Sequence, residues 1–499
     1  MNTKYLKAKI LDLAIRGKLV PQDPSEGNAT DLLQKIKKDK KSSFIIKVDD
    51  GRHYEQFADG TLKDIEADIP FEIPESWCWC RLGLILSIKS GDLIRVTENQ
   101  VGEYPIYGGN GVNGYYSKYN VEANTIIIGR VGFYCGSIHI TKERAWVTDN
   151  AFITSFDSNL IQGNFLFYLL QRLDLKNKSN STAQPVVSGR GIYPIFVPLP
   201  PLAEQERIVS ATEKAFEQID IIEKNKLNLK NYIKQTKSKV LDLAIHGKLV
   251  EQNPQEGNAF ELLEKIRNEK AEQVKQKKIK ADKSASFIIK AEDGRHYEQF
   301  ADGTLKDIEE EIPFEIPDSW CWCRLRNIGI YKKGPFGSAL TKSMFVPKSD
   351  STVKVYEQQN AIKKNHELGH YYIQSEYFES DMKGFEVHPG DVLVSCAGTI
   401  GETYILPENI ERGIINQALM KMTISKELNI QFFLTYFDHI LKTASDESGK
   451  GTAMKNIPPF DVFKQFLFPL PPLAEQQRIV AKIEQIFAQL DALEKALGD

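Results

Sequence analysis

Cysteine is scarce, with six in 499 residues. That is too few for a disulfide scaffold, so the sequence predicts a reducing, cytoplasmic home. Long apolar runs are also missing, and none approaches the roughly 18 residues needed to span a bilayer. Lys4, Lys7, Lys9, Asp12, Arg16 and Lys18 break up the first twenty residues, leaving no signal-peptide core. No sign of charge dominates: 64 Lys plus Arg stand against 67 Asp plus Glu, a formal net charge of −3. This excludes a uniformly basic nucleic-acid coat but leaves room for local basic faces. Apolar residues are not lacking. At 41% hydrophobic and 10% aromatic the chain can bury sizeable cores, and its length sets a prior of about three domains.

The chain repeats itself. Residues 10–36 return at 240–266 with 19 of 27 positions identical, and 43–82 return at 286–325 with 35 of 40 identical. PLPPLAEQERIV at 198–209 returns as PLPPLAEQQRIV at 469–480, with 11 of 12 identical. The offset grows from 230 to 243 to 271. The first step is a Lys-rich insertion at 271–284, and the second arises because 83–197 and 326–468 differ in length and share almost no residues. Two near-identical frames therefore hold two unrelated inserts, the simplest design for two specificities on one scaffold.

A further relation links the ends. Residues 202–250 join PLPPLAEQ to GKLV, and residues 473–499 followed by 1–20 begin and end with the same motifs. The two termini, placed end to end, rebuild the central segment. Its Ile208, Ile219, Ile222, Leu229, Ile233 and Val240 fall at coiled-coil spacing, as do Ile479, Ile483, Ile486 and Leu490 in the C-terminal segment. Pro200 and Pro201 punctuate the start of the central helix and Gly247 its end. The spacing predicts antiparallel helices, the central one being a rod of ~63 Å at 1.5 Å per residue. The segment 43–65 reads as strand, turn, strand, with Asp59-Gly60 as a second turn. Each insert reads as a compact α/β or α+β domain.

Catalytic motifs fail on inspection. Gly109, Gly111 and Gly114 match G-x-G-x-x-G, but no helix follows. Ser448-Gly-Lys-Gly-Thr lacks the first P-loop glycine, and an Ile splits Asn456-Ile-Pro-Pro-Phe away from the adenine-methyltransferase tetrapeptide. The Trp77-Cys-Trp-Cys and Trp320-Cys-Trp-Cys pairs read as buried thiols on one strand face, not as a zinc site. His366 and His370 lack a third ligand. Basic and aromatic residues within the inserts are candidates for nucleic-acid contact: Tyr115, Tyr116, Lys118, Arg130, Arg144 and Arg190 in the first, and Lys332, Lys333, Lys363, Lys364, Lys450 and Lys455 in the second. Gln358, Gln359 and Asn360 form a run of amides able to read adenine edges.

With PLPPLAEQ, IPFEIPESW and GKLV all in duplicate, the chain resembles the specificity subunit of type I restriction-modification systems. IIIGRVGFYCGSI with AWVTDNAFI, and PGDVLVSCAGTIGET with INQAL, look like the interior of that family's target recognition domains. The resemblance implies a mixed α+β fold: two target recognition domains and an antiparallel coiled-coil spacer in a circular pseudo-two-fold duplication. The expected domains are 1–36 (completing the C-terminal spacer), 43–196 and 286–467 (recognition), 197–270 (central spacer helix) and 468–499 (C-terminal spacer helix). It implies further that each domain reads half of a bipartite double-stranded DNA site, while the helices set the gap. Two modification subunits and the restriction subunits would carry S-adenosylmethionine, ATP and magnesium, this chain binding none of them and catalysing nothing itself. The alternatives from other classes are a stand-alone DNA methyltransferase or nuclease, and a DNA-binding transcriptional adaptor.

Overall fold

A computed structural model of the chain describes residues 2–37, 43–49, 51–94, 102–173, 175–178, 186–282, 284–397, 399–447 and 460–498. The chain divides into two units, residues 1–229 and 230–498, with the boundary inside one long helix. No helix among the described residues is long and apolar enough to cross a membrane.

In the first unit, α1 (Thr3–Ile15) and α2 (Ala29–Lys37) precede an antiparallel meander of β1 (Phe44–Lys47), β2 (His53–Gln56) and β3 (Leu62–Asp64). The Asp59 carboxylate closes the second turn by accepting from the Thr61 amide at 2.9 Å. β4 (Cys78–Arg81) then leads into the insert, where short apolar runs alternate with glycines. These give β5 (Leu86–Ser90), β6 (Tyr104–Gly108), β7 (Gly111–Tyr116), β8 (Ile126–Gly129), β9 (Ile138–Ile140), β10 (Trp146–Val147) and β11 (Ala151–Phe156). They form two sheets, ordered β5-β11-β8-β9 and β10-β6-β7. α3 (Gly163–Arg172) closes the insert, and β12 (Phe196–Leu199) returns antiparallel to β4. Cys78 and Cys80 point into the insert's core while Trp79, between them, packs with Ile45 and Ile65 under the meander. Burial pushes the Cys78 thiol up to about 12, so it stays protonated.

The central helix α4 (Leu202–Ile245) ends in the second unit, followed by α5 (Ala259–Lys275). The meander recurs as β13 (Ser286–Lys290), β14 (His296–Phe300) and β15 (Leu305–Asp307), and the lead-in strand as β16 (Cys321–Arg324). The second insert contains β17 (Gly329–Lys333), β18 (Thr352–Tyr356), β19 (Tyr372–Gln374), β20 (Glu386–Val387), β21 (Val392–Ser395), β22 (Thr403–Ile405), β23 (Gly413–Ile415) and β24 (Leu419–Ile424). α6 (Ile430–Glu447), β25 (Leu467–Leu470) paired with β16, and α7 (Leu473–Gly498) complete the chain. The insert sheets run β17-β24-β21-β22 and β19-β18-β23-β20. The two inserts, unrelated in sequence, thus share one topology, with β20 added in the second.

The repeated motifs make one polar clamp per unit. The indole N–H of Trp77 donates to Glu204 at 2.9 Å and the Gln22 amide donates to its other oxygen at 2.6 Å. Gln205 donates to Pro200 O at 3.0 Å and accepts the Gln162 amide at 2.8 Å, while Arg207 forks onto Glu26 at 2.6 and 2.7 Å. In the second unit Trp320 and Gln252 hold Glu475 at 2.9 and 2.6 Å, Gln476 receives Asn429 N–H at 2.8 Å, and Arg478 forks onto Glu256. Each GKLV glycine ends a helix in the left-handed region, Gly17 at φ +65° and Gly247 at φ +67°. A Cβ there would lie 2.4 Å from Pro74 or 2.5 Å from Pro317, so both the turn and the close approach require glycine.

Within the first unit α1 runs antiparallel to α4, with Lys7 on Asp220 and Thr3 on Glu223. Within the second, Lys237 on Asp491 and Glu494 repeats that contact between α4 and α7. Ile208, Ile219, Ile233, Val240, Ile479 and Ile483 are buried as the heptad spacing predicts, and Ile486 and Leu490 are half-buried. Ile222 and Leu229 are instead 41% exposed. Leu229 lies beyond the turn of α4 that Thr3 of α1 meets at Glu223.

Burial raises the carboxyls of Glu204 and Glu475, and the hydrogen bonds from Trp and Gln only partly offset it. A carboxyl raised above its unfolded value takes up its proton first in the folded state. Its contribution to stability therefore grows as pH falls through the raised value toward 4.5, and shrinks as pH rises. Glu204→Gln is expected to flatten this dependence. It would also turn an N–H toward one of two donors, costing about 1–3 kcal/mol. Urea unfolding from about pH 5 to about pH 8 checks both effects.

Candidate nucleic-acid interface

Loops from both sheets of the first insert meet at a glycine-dense edge. β5 leaves through Gly91, whose amide donates to Ala151 O at 3.0 Å, and a Cβ there would lie 2.3 Å from Val147 O. The loop after β8 is equally tight, since a Cβ on Gly129 would lie 2.5 Å from Tyr134 O. Absent side chains let three backbones converge, and Arg130 stands where they do. Its amide donates to Asn150 O at 2.9 Å, and its guanidinium reaches Ser90 Oγ at 3.1 Å and Asp149 O at 3.3 Å. Phe152 lies under it at 5.5 Å. Among the described residues no carboxylate pairs with Arg130, so its charge is available to an anion. Val187 N–H donates to Arg130 O at 2.9 Å, which brings the stretch leading to Arg190 against this loop. Arg190 itself is exposed on the short helix Gly189–Ile192.

The second insert repeats the arrangement with different residues. β17 leaves through Gly334, whose amide donates to Leu419 O at 2.9 Å, and a Cβ there would lie 1.8 Å from Asn416 O. Lys332 and Lys333 are exposed just before it, Lys332 lying over Phe385 at 4.6 Å. Gln358 donates to Ala397 O in the loop after β21, and Lys364 pairs with Glu402 at 2.8 Å beside that loop. Lys363 is exposed.

Other sequence-predicted contacts belong elsewhere. Tyr115 and Lys118 are exposed, but Tyr116 is buried edge-on against Trp146 at 5.0 Å and cannot meet a base. Arg144 is committed to Glu122 at 2.9 Å and Tyr119 at 4.8 Å. Because β10 runs parallel to β6, Arg144 sits at the opposite end of that sheet from Asp149 and Asn150. Lys450 and Lys455 lie outside the described residues.

The amide run needs correction. Asn360 is fully buried: its Oδ1 accepts the Glu357 amide at 2.7 Å and its Nδ2 donates to Asn365 O and Leu368 O. It caps the helix Gln358–Ile362 and ties down the following turn, and asparagine suits such local bonds. Gln359 is turned to Glu357 at 2.9 Å. Sequence reasoning missed Lys354, which is buried and holds His366 O and Glu367 O at 2.8 and 3.1 Å, bracing the same turn. Burial lowers its pKa. Its place in a Val-Lys-Val strand masks it as an ordinary polar position. Asn360→Ala is expected to cost about 1–3 kcal/mol in urea unfolding, and Lys363→Ala less than about 0.5 kcal/mol.

A family profile described as type I restriction modification DNA specificity domain matches residues 74–231 and 337–498. The specificity subunit of the Escherichia coli type I restriction enzyme EcoAI is 25% identical, over 98% of this chain and 90% of that protein. That of Escherichia coli EcoEI is 24% identical, over 99% and 90%. A solved HsdS subunit from Thermoanaerobacter tengcongensis is 16% identical, over 86% of this chain and 93% of that one, with a TM-score of 0.48. With more than half its length matched, and the first insert, most of the second and both PLPPLAEQ motifs inside the match, this chain belongs to the type I restriction-modification DNA specificity family, the sequence-recognition subunits of those systems.

Proposed function

We propose that each insert reads one half of a bipartite DNA site, and that the helices running from one clamp to the next set the gap between the halves. The observation that carries this reading is the shared topology of two inserts without sequence kinship, held in two near-identical frames. One scaffold used twice with different loops is what two separate specificities require. Direct readout comes from side chains at the loop edges, Arg130 and the Lys332–Lys333 pair among them, with the phosphate backbone positioning each domain.

Methylation and cleavage then belong to partners: two modification subunits using S-adenosylmethionine, and restriction subunits using ATP and magnesium, all working in the cytoplasm. The failed methyltransferase and P-loop motifs favour this division over a stand-alone methyltransferase or nuclease. Methylation by the lone chain would speak for that alternative. Capture of a modification subunit would speak against a transcriptional adaptor.

Replacing residues 83–194 by the insert of another specificity subunit should change one half of the methylated site and leave the other untouched. Sequencing methylated host DNA reads this directly, and a change in both halves would defeat the modular reading. Removing seven residues from α4 and seven from the terminal helix beside it shortens the pair by ~10 Å. The gap should then shrink by about three base pairs, whereas an unchanged gap would refute the ruler.

A further inference from the structure

Leu93 and Phe336 are 77% and 89% exposed, the two highest values among the large apolar side chains described. They are 243 residues apart, the offset that relates the frame just before each insert. Each stands three residues beyond the strand that carries the chain into its insert, β5 or β17. Each follows the glycine pressed against the facing backbone, Gly91 or Gly334. The inserts share almost no residues, yet both place a large apolar side chain in water at this point.

Neither is a frayed tip. Asp92, beside Leu93, donates its amide to Val147 O at 2.9 Å, accepts Asn120 Nδ2 at 2.8 Å on its carboxylate, and accepts the Trp146 indole N–H at 3.2 Å on its carbonyl. Pro335, before Phe336, is buried. Phe336 O accepts the Ala339 amide at 2.9 Å, and Ala339 O accepts the Tyr377 hydroxyl at 2.7 Å. A side chain serving the core would be buried, and one merely solvated would be polar. These are apolar and held out on braced supports. Cations stand near both points: Lys89 on β5 and Arg130, which reaches Ser90, by the first, and Lys332 and Lys333 on β17 by the second, none with a carboxylate partner among the described residues, while the Asp92 carboxylate beside Leu93 is taken up by Asn120. Cations that grip phosphate around an apolar point match the chemistry of a side chain driven between stacked base pairs.

We infer that Leu93 and Phe336 are DNA wedges, each entering one base step of the half-site read by its own insert and kinking the duplex there. The inference rests on the DNA-recognition reading above. The test uses the chain assembled with its modification subunit. The duplex carries the site mapped from methylated host DNA, with a fluorophore pair across each half. Binding and bending are measured at several salt concentrations for Leu93→Ala, Phe336→Ala and the conservative Phe336→Leu. Leu305→Ala serves as control; that residue is 54% exposed on β15 of the meander, outside both inserts. Phe336→Ala is expected to weaken binding about tenfold and straighten its own half-site only. The salt slope should stay unchanged, because no phosphate contact is lost. Leu93→Ala should do the same in the other half, and Phe336→Leu and Leu305→Ala should behave as wild type. Alanine variants that bind and bend like wild type would overturn the wedge, as would a loss accompanied by a shallower salt slope. A wild-type complex that does not prefer its site over random duplex would remove the recognition reading, and the wedge with it.

Discussion

The buried glutamate that opens each long helix is the constraint on which the rest of the architecture depends. Glu204 accepts from Trp77, just ahead of the strand entering the first insert, and from Gln22 on the segment after α1, and Glu475 does the same with Trp320 and Gln252. Each clamp joins the start of a helix, the strand leading into an insert and the end of another helix. Charge-assisted bonds to a desolvated carboxylate are strong, and they leave little freedom for the residues around them. The frame retains its sequence in both copies because almost every motif residue is committed: tryptophan, glutamate, both glutamines, arginine and the helix-ending glycine.

The clamp also explains how the inserts could diverge. β4 lies antiparallel to β12, and β16 to β25, so the chain leaves and returns at adjacent points. Any insert whose ends meet can be held there. What must persist is the backbone pairing order, which strands of many sequences satisfy. Loops at the sheet edges are free to vary, as two separate specificities on one frame would require.

The formal charge of −3 conceals this distribution. Arg81, Arg207, Arg324 and Arg478 are all committed to internal carboxylates, and Lys354 to backbone carbonyls. Lys89, Arg130, Lys332 and Lys333, near the loop edges of the inserts, have no carboxylate partner among the described residues. Much of this architecture was legible in the sequence. The three offsets announced the duplication, and the heptad spacing identified the long helices and most of their buried positions. Heptads reveal a face but not which of its positions a partner covers, and Ile222 and Leu229 are left exposed. Composition cannot distinguish an asparagine that reads a base from one that caps a helix, nor a tyrosine that is exposed from one packed on Trp146, so Asn360 and Tyr116 were misassigned. The common topology of the inserts was hidden because sheet order depends on backbone pairing and leaves little trace in residue identity. The exposed Leu93 and Phe336 could have been found by carrying the offset of 243 a few residues past the frame.

The central claim is that one chain presents two separate readers of DNA. Mapping every methylated adenine in a host that expresses the chain with its modification subunit tests it most directly. The account predicts two short specified blocks separated by a run of unspecified base pairs of constant length, with both blocks needed for modification. A single continuous specified block, or blocks at variable separation, would contradict it.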